Sequence, residues 1–548
     1  MIKKIGTIVI LVFFVLQASL FTVSGLPDRQ QTSNKEPIAA SVAYQIVQAK
    51  LQELKKTMYT IEPPTFLMNN ENTILGFIFA LVPQGYMVVT AWNDLPPVIA
   101  YSFTSSAREE PGSVNIFQQL LIADLNLRLQ NVASLPSSLL ETRHQEWTML
   151  LKDKNRVTTG GFEQWPPEGS TTTEGWVETN WHQEAPYNMF CPLDIANGGD
   201  RSVAGCPSTA MAQILNYHET LNNVYFSDLD DYHHTYGGNN YWIDNDHDTY
   251  DFPSYPELNT YLATLATHYQ QHTTPTDTDA AALTFACGVA ARQVYGSAGS
   301  GTFGVNQAYD AYLKFNCTNC TLLHPTDADV YGRLAKNMID ALPAHLAIVN
   351  EDWTAGHNVV VDGYNTDNFF HINFGWGGLY NGWYLLPDDL PYSLTVLEGV
   401  IVDILDDATG PKVSCGGSLF WTDIQPGETV TGNFTVKNVG TPGSLLDWEI
   451  TDTPDWGTWT ITPESGTDLS PEEGPITLNV SVTAPTKKNR DYSGYIRVIN
   501  SDDPTDCYIV QVVLATPDIH PSPLFQFIKN LCERFPHAFP FLRLLMNF

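Results

Sequence analysis

A cysteine stands directly before a helical pattern near the middle of the chain. Pro207 follows Cys206, and proline suits the first turn of a helix because its missing N–H has no partner there. Ala210, Ile214 and Tyr217 then recur on one face. The free N–H groups of a helix start stabilise a thiolate, which is the form of cysteine that attacks carbonyl carbon. The pattern predicts Cys206 as a nucleophile; the alternative is a buried, inert cysteine.

A histidine at the beginning of a predicted strand has the chemistry of a base. The segment 356–364 is typical of a short strand, and His357 stands at its start. An imidazole there can hold a thiolate as an ion pair and then protonate a leaving amine. The alternative is a structural histidine. His371 is a rival base, although its alternation with Phe370 and Ile372 is typical of one face of a strand.

Three further side chains can assist such a pair. Asn373 can orient the imidazole by accepting its second N–H, and Trp376 can cover that hydrogen bond from water. Gln183 can combine its amide N–H with the backbone N–H of Cys206 to form an oxyanion hole. Taken alone, each of the three is an ordinary residue.

No metal or cofactor is expected from the sequence. His268 and His272 have the spacing of a zinc pair, but the glutamate of the metalloprotease helix motif is missing. Asp244, Asp246 and Asp248 alternate as calcium ligands do, but no glycine or distal glutamate completes a calcium loop. A solvated acidic loop is the better interpretation.

Charge restricts the partners that the chain can bind. Its 548 residues include 27 basic and 60 acidic side chains, which give a formal net charge of -33. Nucleic acids and anionic lipid attract basic surfaces, so neither is expected as a partner. The hydrophobic content of 43% is ample for packed cores, and the length predicts two to four domains.

The beginning of the chain has the pattern of an export signal. Lys3 and Lys4 precede an apolar run that reaches Val23, and small residues follow it. This pattern predicts a signal peptide over residues 1–25 and a protein that is secreted or held at the cell surface. The alternative is a membrane anchor. No later run is long and apolar enough to cross a membrane.

Residues 26–165 are predicted to form an α+β unit without chemistry of its own. Helical periodicity covers residues 39–56 and 116–127, and strand patterns cover residues 74–81 and 86–90.

Three further segments follow. A linker rich in Gly, Pro and Thr, residues 157–173, leads into residues 166–408, which hold every motif described above. Residues 409–517 contain short alternating runs, such as 429–436, and predict an all-β, immunoglobulin-like sandwich. Residues 518–548 carry an amphipathic helix pattern, which predicts either a helix docked on the body or a surface-attachment signal.

Eight cysteines in an exported chain favour disulfides. Cys415 and Cys507 lie near the two ends of the predicted β domain and are the favoured pair. Cys317 and Cys320 form a lone CxxC. Three interpretations of it stay open: a tight disulfide, half of a metal site, and two free thiols.

Four blocks, in this order, resemble the streptopain (interpain) family of papain-clan cysteine proteases. They are WxQxxPYN at residues 181–188, GCxxTAMAQIxxYH at 205–218, GHxxVVDGY at 356–364 and HxNxGWGGxxNGWY at 371–384. The segments 85–91 and 96–102 are similar to the inhibitory propeptide of that family.

The resemblance implies a papain-like α+β catalytic domain that hydrolyses peptide bonds through a thioester. It implies Cys206 as nucleophile, His357 as proton carrier and Gln183 as oxyanion donor, with Asn373 and Trp376 as supports.

The resemblance also implies that residues 26–165 are a propeptide, which blocks the cleft as an intramolecular inhibitor until the linker is cut. The expected protein is therefore a secreted cysteine endopeptidase, made as a zymogen, that acts on proteins or peptides. Two alternatives remain open. One is an inactive, protease-like adhesion or binding protein that acts through its β sandwich, and the other is a transpeptidase or amidase.

Overall fold

A computed structural model describes residues 36–106, 116–135, 137–152, 162–236, 239–317, 319–325, 327, 330–349, 356–386, 396–405, 410–417, 419–421, 424–487 and 490–516. The predicted signal peptide (residues 1–25) and C-terminal tail (residues 518–548) lie outside these residues.

Helices lie in both the N-terminal unit and the part of the chain that holds the motifs. Those of the described residues are α1 (Ala40–Glu53), α2 (Ile116–Asn131), α3 (Ser137–Lys152), α4 (Cys206–Tyr217), α5 (His247–Tyr250), α6 (Tyr255–Gln270), α7 (Asp277–Ala290), α8 (Val305–Lys314) and α9 (Val330–Ile339). The helices predicted at residues 39–56 and 116–127 are confirmed as α1 and α2. Among these helices, none combines the length and apolar character that crossing a membrane requires.

The strands before residue 403 are β1 (Thr60–Ile61), β2 (Thr65–Met68), β3 (Ile74–Val82), β4 (Tyr86–Thr90), β5 (Val98–Ser102), β6 (Gln164–Trp165), β7 (Leu193–Asp194), β8 (Asp200–Arg201), β9 (Tyr232–Tyr236), β10 (Asn239–Ile243), β11 (Thr321–Leu323), β12 (Ala344–Val349), β13 (Gly356–Asn365), β14 (Phe369–Asn373), β15 (Gly382–Leu385) and β16 (Val396–Val402). Those after it are β17 (Val413–Gly416), β18 (Leu419–Trp421), β19 (Thr429–Asn438), β20 (Leu446–Asp452), β21 (Thr458–Thr462), β22 (Ser465–Leu469), β23 (Ile476–Thr483), β24 (Arg490–Asn500) and β25 (Cys507–Thr516). The strand patterns at residues 74–81 and 86–90 are confirmed as β3 and β4.

One large antiparallel sheet joins the N-terminal unit to the later strands. The strand order is β1-β3-β4-β5-β15-β14-β13-β12-β16-β11, with β2 on β3 and β6 on β13. The junction is β5 against β15, where Tyr101 lies opposite Trp383 and Ala100 opposite Tyr384. Every residue of β4 and β5 is buried. The chain is therefore a mixed α/β protein, and its N-terminal strands extend the same sheet that carries β13.

Strand β13 separates two apolar cores because successive side chains of a strand point to opposite faces. Val360 packs with residues of α4, α6, α7 and α8. Val359 and Val361 pack into the other core, with Leu334 and Met338 of α9. The face on which a side chain of β13 lies therefore decides which layer it contacts.

Residues 413–516 form two further sheets around one apolar core. Their strand orders are β17-β19-β23-β21 and β18-β25-β24-β20-β22. Phe434 and Val480 of the first sheet share a core with Val498 and Val510 of the second. The predicted run 429–436 lies within β19. The immunoglobulin-like assignment of this part remains a prediction.

Strand β6 lies inside the predicted propeptide range, residues 26–165, but pairs with the motif-bearing sheet. Gln164 lies opposite Asn365 and Trp165 opposite Tyr364 of β13. These last residues of the range therefore belong to the sheet of the catalytic motifs.

The predicted disulfide between Cys415 and Cys507 is not formed. Cys507 is a free thiol and packs with Ile499 and Ile509 in the core beside α9. Cys415 packs in the core of the two C-terminal sheets, so the two sulfurs lie in different apolar clusters. In the CxxC, the Cys320 thiol donates to the Cys317 carbonyl at 3.0 Å, and no tight disulfide forms.

Candidate active site

Cys206 is the first residue of α4, and the backbone turns sharply just before it. Gly205 has a φ of 88°, a conformation that favours glycine, and its Cβ position is occupied by the Gln293 amide. Pro207 lies in the first helical turn, as predicted. Among the described cysteines Cys206 is partly exposed, whereas the other six are buried. A reagent or substrate can therefore reach this sulfur more readily than theirs.

The sulfur of Cys206 accepts a hydrogen bond from Asn358 Nδ2 at 3.8 Å. Burial raises the pKa of the Cys206 thiol, while backbone and side-chain hydrogen bonds from Asn358 oppose that rise. At neutral pH the sulfur is accordingly a thiol in this arrangement.

His357 lies on the other face of β13. Its Nε2 donates to the Phe374 carbonyl at 2.9 Å, and its ring stacks on Trp376 with a centroid distance of 4.5 Å. Burial lowers the pKa of His357 to about 4, so the imidazole is neutral at neutral pH. Within the described residues, no hydrogen bond joins His357 to Cys206. The structure therefore brings Trp376 to the predicted base but does not unite the predicted dyad.

Asn373 bonds to α4 instead of to His357. Its Nδ2 donates to the Thr179 carbonyl at 2.9 Å, and its Oδ1 accepts from the Gly375 backbone at 3.0 Å. Gln213 of α4 lies against the same amide, at 3.3 Å from Nδ2. These contacts fix the turn between Asn373 and Trp376 relative to α4.

Gln183 lies beside the loop that leads to the cysteine. Its backbone carbonyl accepts from Ala204 N at 2.7 Å, and its side chain is half-buried. This backbone contact places Gln183 next to the turn that precedes Cys206.

Comparison with known proteins assigns the motif-bearing part to a family. Residues 181–384 match the Peptidase C10 family. Streptopain from Streptococcus pyogenes is 23% identical over 331 residues, which cover 58% of this chain and 75% of streptopain. Residues 181–384 therefore match the Peptidase C10 family, and the chain is similar to streptopain.

Two other proteins are similar to this chain. The thiol protease/hemagglutinin PrtT of Porphyromonas gingivalis is 26% identical over 227 residues, which cover 39% of this chain and 24% of PrtT. A prointerpain A fragment of Prevotella intermedia has a TM-score of 0.41 and 20% identity, and the match covers 63% of this chain and 99% of the fragment. The family assignment supports a cysteine peptidase.

His371, the rival candidate for the base, lies in the core. Its Nδ1 lies 2.6 Å from Asp362 Oδ1, and neither side chain is exposed. The other oxygen of Asp362 accepts from the Val177 backbone at 3.0 Å. The buried pair ties β14 to β13 and to the segment around Val177, as expected for the core face of a strand.

The two histidines considered for a zinc site bond to different carboxylates. His268 bonds to Asp279 at 2.8 Å, and His272 bonds to Glu219 at 3.1 Å. Over the ranges that the structure describes, no three His, Cys, Asp or Glu side chains are grouped as a metal site requires.

Sequence reasoning assigned no role to three polar side chains that bond to Cys206, to Asn373 or to one another: Gln213, Asn358 and His345. Gln213 and His345 are completely buried. Gln213 stands within the block at residues 205–218, whereas His345 lies outside all four blocks. The available signal for Asn358 was the alternation of β13, which places Asn358 and His357 on opposite faces of the strand. That rule predicts that only one of the two can face the helix of Cys206.

Proposed function

We propose that the chain is an exported cysteine endopeptidase, made as a zymogen, with Cys206 as nucleophile and His357 as base. The observation that carries this proposal is the partly exposed Cys206 at the first residue of α4. The helix packs on β13, the strand that begins with Gly356 and His357. Free N–H groups at a helix start favour the thiolate.

In the proposed reaction the Cys206 thiolate attacks the carbonyl carbon of a peptide bond, and the carbonyl electron pair moves onto oxygen. The Gln183 amide and the Cys206 backbone N–H bind that oxygen. The C–N bond breaks as the His357 imidazolium gives its proton to the leaving amine, which leaves a thioester. Water then adds while His357 takes its proton, and the C–S bond breaks to release the carboxylic acid.

The arrangement of the two residues supports a latent precursor. Burial raises the pKa of Cys206 and lowers that of His357 to about 4, so both groups are neutral at neutral pH. A thiol is a far weaker nucleophile than a thiolate. His357 and Cys206 lie on opposite faces of β13, so activation requires His357 to leave the Phe374 carbonyl and the first residues of the strand to rotate.

Contacts of the N-terminal unit support its role as an intramolecular inhibitor. Ser105 donates to the Gly378 carbonyl at 2.6 Å, in the turn that also carries Trp376. Arg128 donates to the Leu385 carbonyl at 2.9 Å, at the end of β15. Removing these contacts frees the turn that holds His357 away from the sulfur.

The proposal is tested by expressing the wild type and Cys206→Ala as full chains. We expect the wild type to be cleaved at a site before Glu163, which removes its N-terminal unit, and to cut casein, whereas Cys206→Ala stays at full length and is inactive. Cys507→Ala is the matched control because it removes a buried thiol in another core. It should process and cut casein like the wild type.

A thiol-directed epoxide inhibitor separates the remaining outcomes. Labelling of Cys206 only after loss of the N-terminal unit agrees with the proposal. Identical processing of the wild type and Cys206→Ala would show that an external protease does the cutting. A processed wild type that neither labels nor cuts casein would leave an inactive, protease-like binding protein and would overturn the proposed activity.

A further inference from the structure

A chain of three hydrogen bonds leads from the interior of the protein to the sulfur of Cys206. Tyr312 of α8 lies 3.2 Å from Nδ1 of His345, on β12. Nε2 of His345 lies 2.8 Å from Oδ1 of Asn358, on β13. Asn358 Nδ2 donates to Cys206 Sγ at 3.8 Å. These hydrogen bonds thus connect α8, β12, β13 and α4, which are distant in sequence.

The chemistry of the groups fixes the direction of this line. An amide oxygen can only accept, so the proton of His345 is on Nε2 and points at Asn358 Oδ1. Nδ1 is then bare and accepts from the Tyr312 hydroxyl. With its oxygen engaged, the Asn358 amide can turn only its N–H towards Cys206. The reverse amide orientation would place an oxygen against the sulfur and would disfavour a thiolate.

Burial makes the arrangement rigid. Tyr312 and His345 are completely buried, and their rings meet edge to face with a centroid distance of 5.8 Å. Burial lowers the pKa of His345 to about 4, so the ring carries one N–H at neutral pH. A buried polar group without its partner is costly, and each member therefore holds the next in place.

The hydrogen bonds that join Tyr312, His345, Asn358 and Cys206 form a relay. The titratable groups around this relay leave the donor and the acceptor of each bond unchanged at neutral pH. Burial, followed by the neighbouring thiols of Cys287, Cys317 and Cys320, holds the pKa of the Tyr312 hydroxyl well above its usual value, so it stays a donor. His357 lies on the opposite face of β13, where it bonds to the Phe374 carbonyl.

We propose that Asn358, oriented by His345 and Tyr312, positions an N–H on the Cys206 sulfur and favours its ionised form. The catalytic consequence rests on the proposed function, whereas the hydrogen bond to the thiolate does not. Hydrogen bonds to an ionised acceptor are stronger than those to a neutral one, so the Asn358 N–H binds the thiolate more tightly than the thiol. In this relay His345 and Tyr312 are positioning residues that act through Asn358.

The test is the pH dependence of Cys206 alkylation by iodoacetamide in the full chain, followed by mass spectrometry of the peptide that contains Cys206. The midpoint of this pH dependence reports the pKa of the Cys206 thiol. We expect Asn358→Ala to raise this midpoint by about one pH unit, so that about tenfold less thiolate is present at any pH below it. Tyr312→Phe should raise it in the same direction by less, because His345 keeps its partner Asn358 but loses the group that selects its tautomer.

Tyr269→Phe is the matched control, since it removes a buried hydroxyl that bonds to Asn216 at 3.0 Å, outside the relay. Its midpoint should equal that of the wild type. Tyr312→Phe changes one hydroxyl only, and it keeps the test decisive if Asn358→Ala does not fold. A folded Asn358→Ala or Tyr312→Phe protein with an unchanged midpoint would overturn the proposal.

The same measurement in a His357→Ala background separates this proposal from the proposed function. Proteolysis should be lost there, but the shift caused by Asn358→Ala should persist. If the wild type lacks protease activity and the shift is still found, the proposed function fails while the relay stands.

Discussion

The imidazole of His357 lies on the indole of Trp376, with ring centroids 4.5 Å apart and planes 20° from parallel. Phe374 continues the stack at 6.2 Å from the same imidazole. The predicted base is thus enclosed by two aromatic rings and a carbonyl, and its burial lowers its pKa to about 4. The His357 imidazole in this structure is therefore neutral at neutral pH.

The first prediction concerns the titration of this histidine. In the full-length chain we expect the His357 ring to titrate near pH 4, by NMR of histidine-labelled protein assigned with His357→Gln. Trp376→Ala opens the ring to water and should move the midpoint up towards the ordinary value of about 6.5. In the processed enzyme an ion pair with the thiolate should raise it further.

An internal control is available in the same spectra. Burial lowers the pKa of His234 to about 4 as well, and His234 stacks on Tyr241 in another part of the chain. Its midpoint should not respond to Trp376→Ala. A wild-type midpoint for His357 near 6.5 would contradict the enclosed arrangement.

The second prediction concerns the ion pair that joins α1 to the sheet. Lys50 lies 3.1 Å from Asp367 with 9% of its side chain exposed. Burial lowers the pKa of Lys50, but Asp367 and Glu53 outweigh that effect and raise it. Asp367→Asn removes one of the two neutralising charges and should destabilise α1 by about 1–2 kcal/mol, because Asp367 is itself partly solvated.

Hydrogen exchange of the α1 amides measures this loss, which corresponds to roughly tenfold faster exchange for each 1.4 kcal/mol. Glu168→Gln is the control. It breaks the Lys56–Glu168 pair, in which the glutamate is 64% exposed. The exchange rates of the α1 amides should therefore stay close to those of the wild type. Equal exchange in both variants would show that the buried pair adds no stability.

The third prediction concerns the attachment of the C-terminal sheets. Asp506 lies 2.6 Å from Lys336 Nζ of α9 and accepts from the Val413 backbone at 2.9 Å. Lys336 is almost fully buried and has Asp340 as its other partner at 2.7 Å. Asp506→Ala should lower the free energy of unfolding by about 3 kcal/mol. The substitution leaves the buried Val413 N–H without its acceptor, and it leaves the buried Lys336 ammonium with Asp340 as its remaining partner.

Urea unfolding measures this change, and Asp502→Ala provides the comparison. Asp502 is exposed and lies in the same turn. The free energy of unfolding of Asp502→Ala should therefore stay within about 0.5 kcal/mol of the wild-type value. A similar small effect of Asp506→Ala would mean that the junction is held by apolar packing alone.

The fourth prediction concerns the cleavage site. Glu163 exchanges two hydrogen bonds with Thr366, at 3.1 and 3.0 Å, and forms an ion pair with Arg497. Together with the β6–β13 pairing, these contacts hold residues 163–165 against β13 in the large sheet. We expect the mature chain to begin before Glu163, which mass spectrometry of the processed N-terminus will show. A start beyond Trp165 would contradict this prediction.

Several features followed from the sequence because their causes are local. Pro207 and the apolar spacing after it predicted the helix that begins at Cys206. Strand-like runs predicted β3 and β4, and alternation predicted β19. The four ordered motif blocks predicted the streptopain resemblance, and the Peptidase C10 match covers the same residues, 181–384.

Other features depend on contacts between distant segments, which no local pattern contains. The Cys415–Cys507 pairing failed because the two strands place their sulfurs in different cores. The orientation of His357 towards Phe374 depends on the register of β13 against β14 and on the turn that Asn373 ties to α4. The sequence by itself determined which side chains are available for the chemistry. Only the tertiary structure decided that Asn358, and not His357, contacts the sulfur, because a strand can present just one of two neighbouring side chains to the same helix.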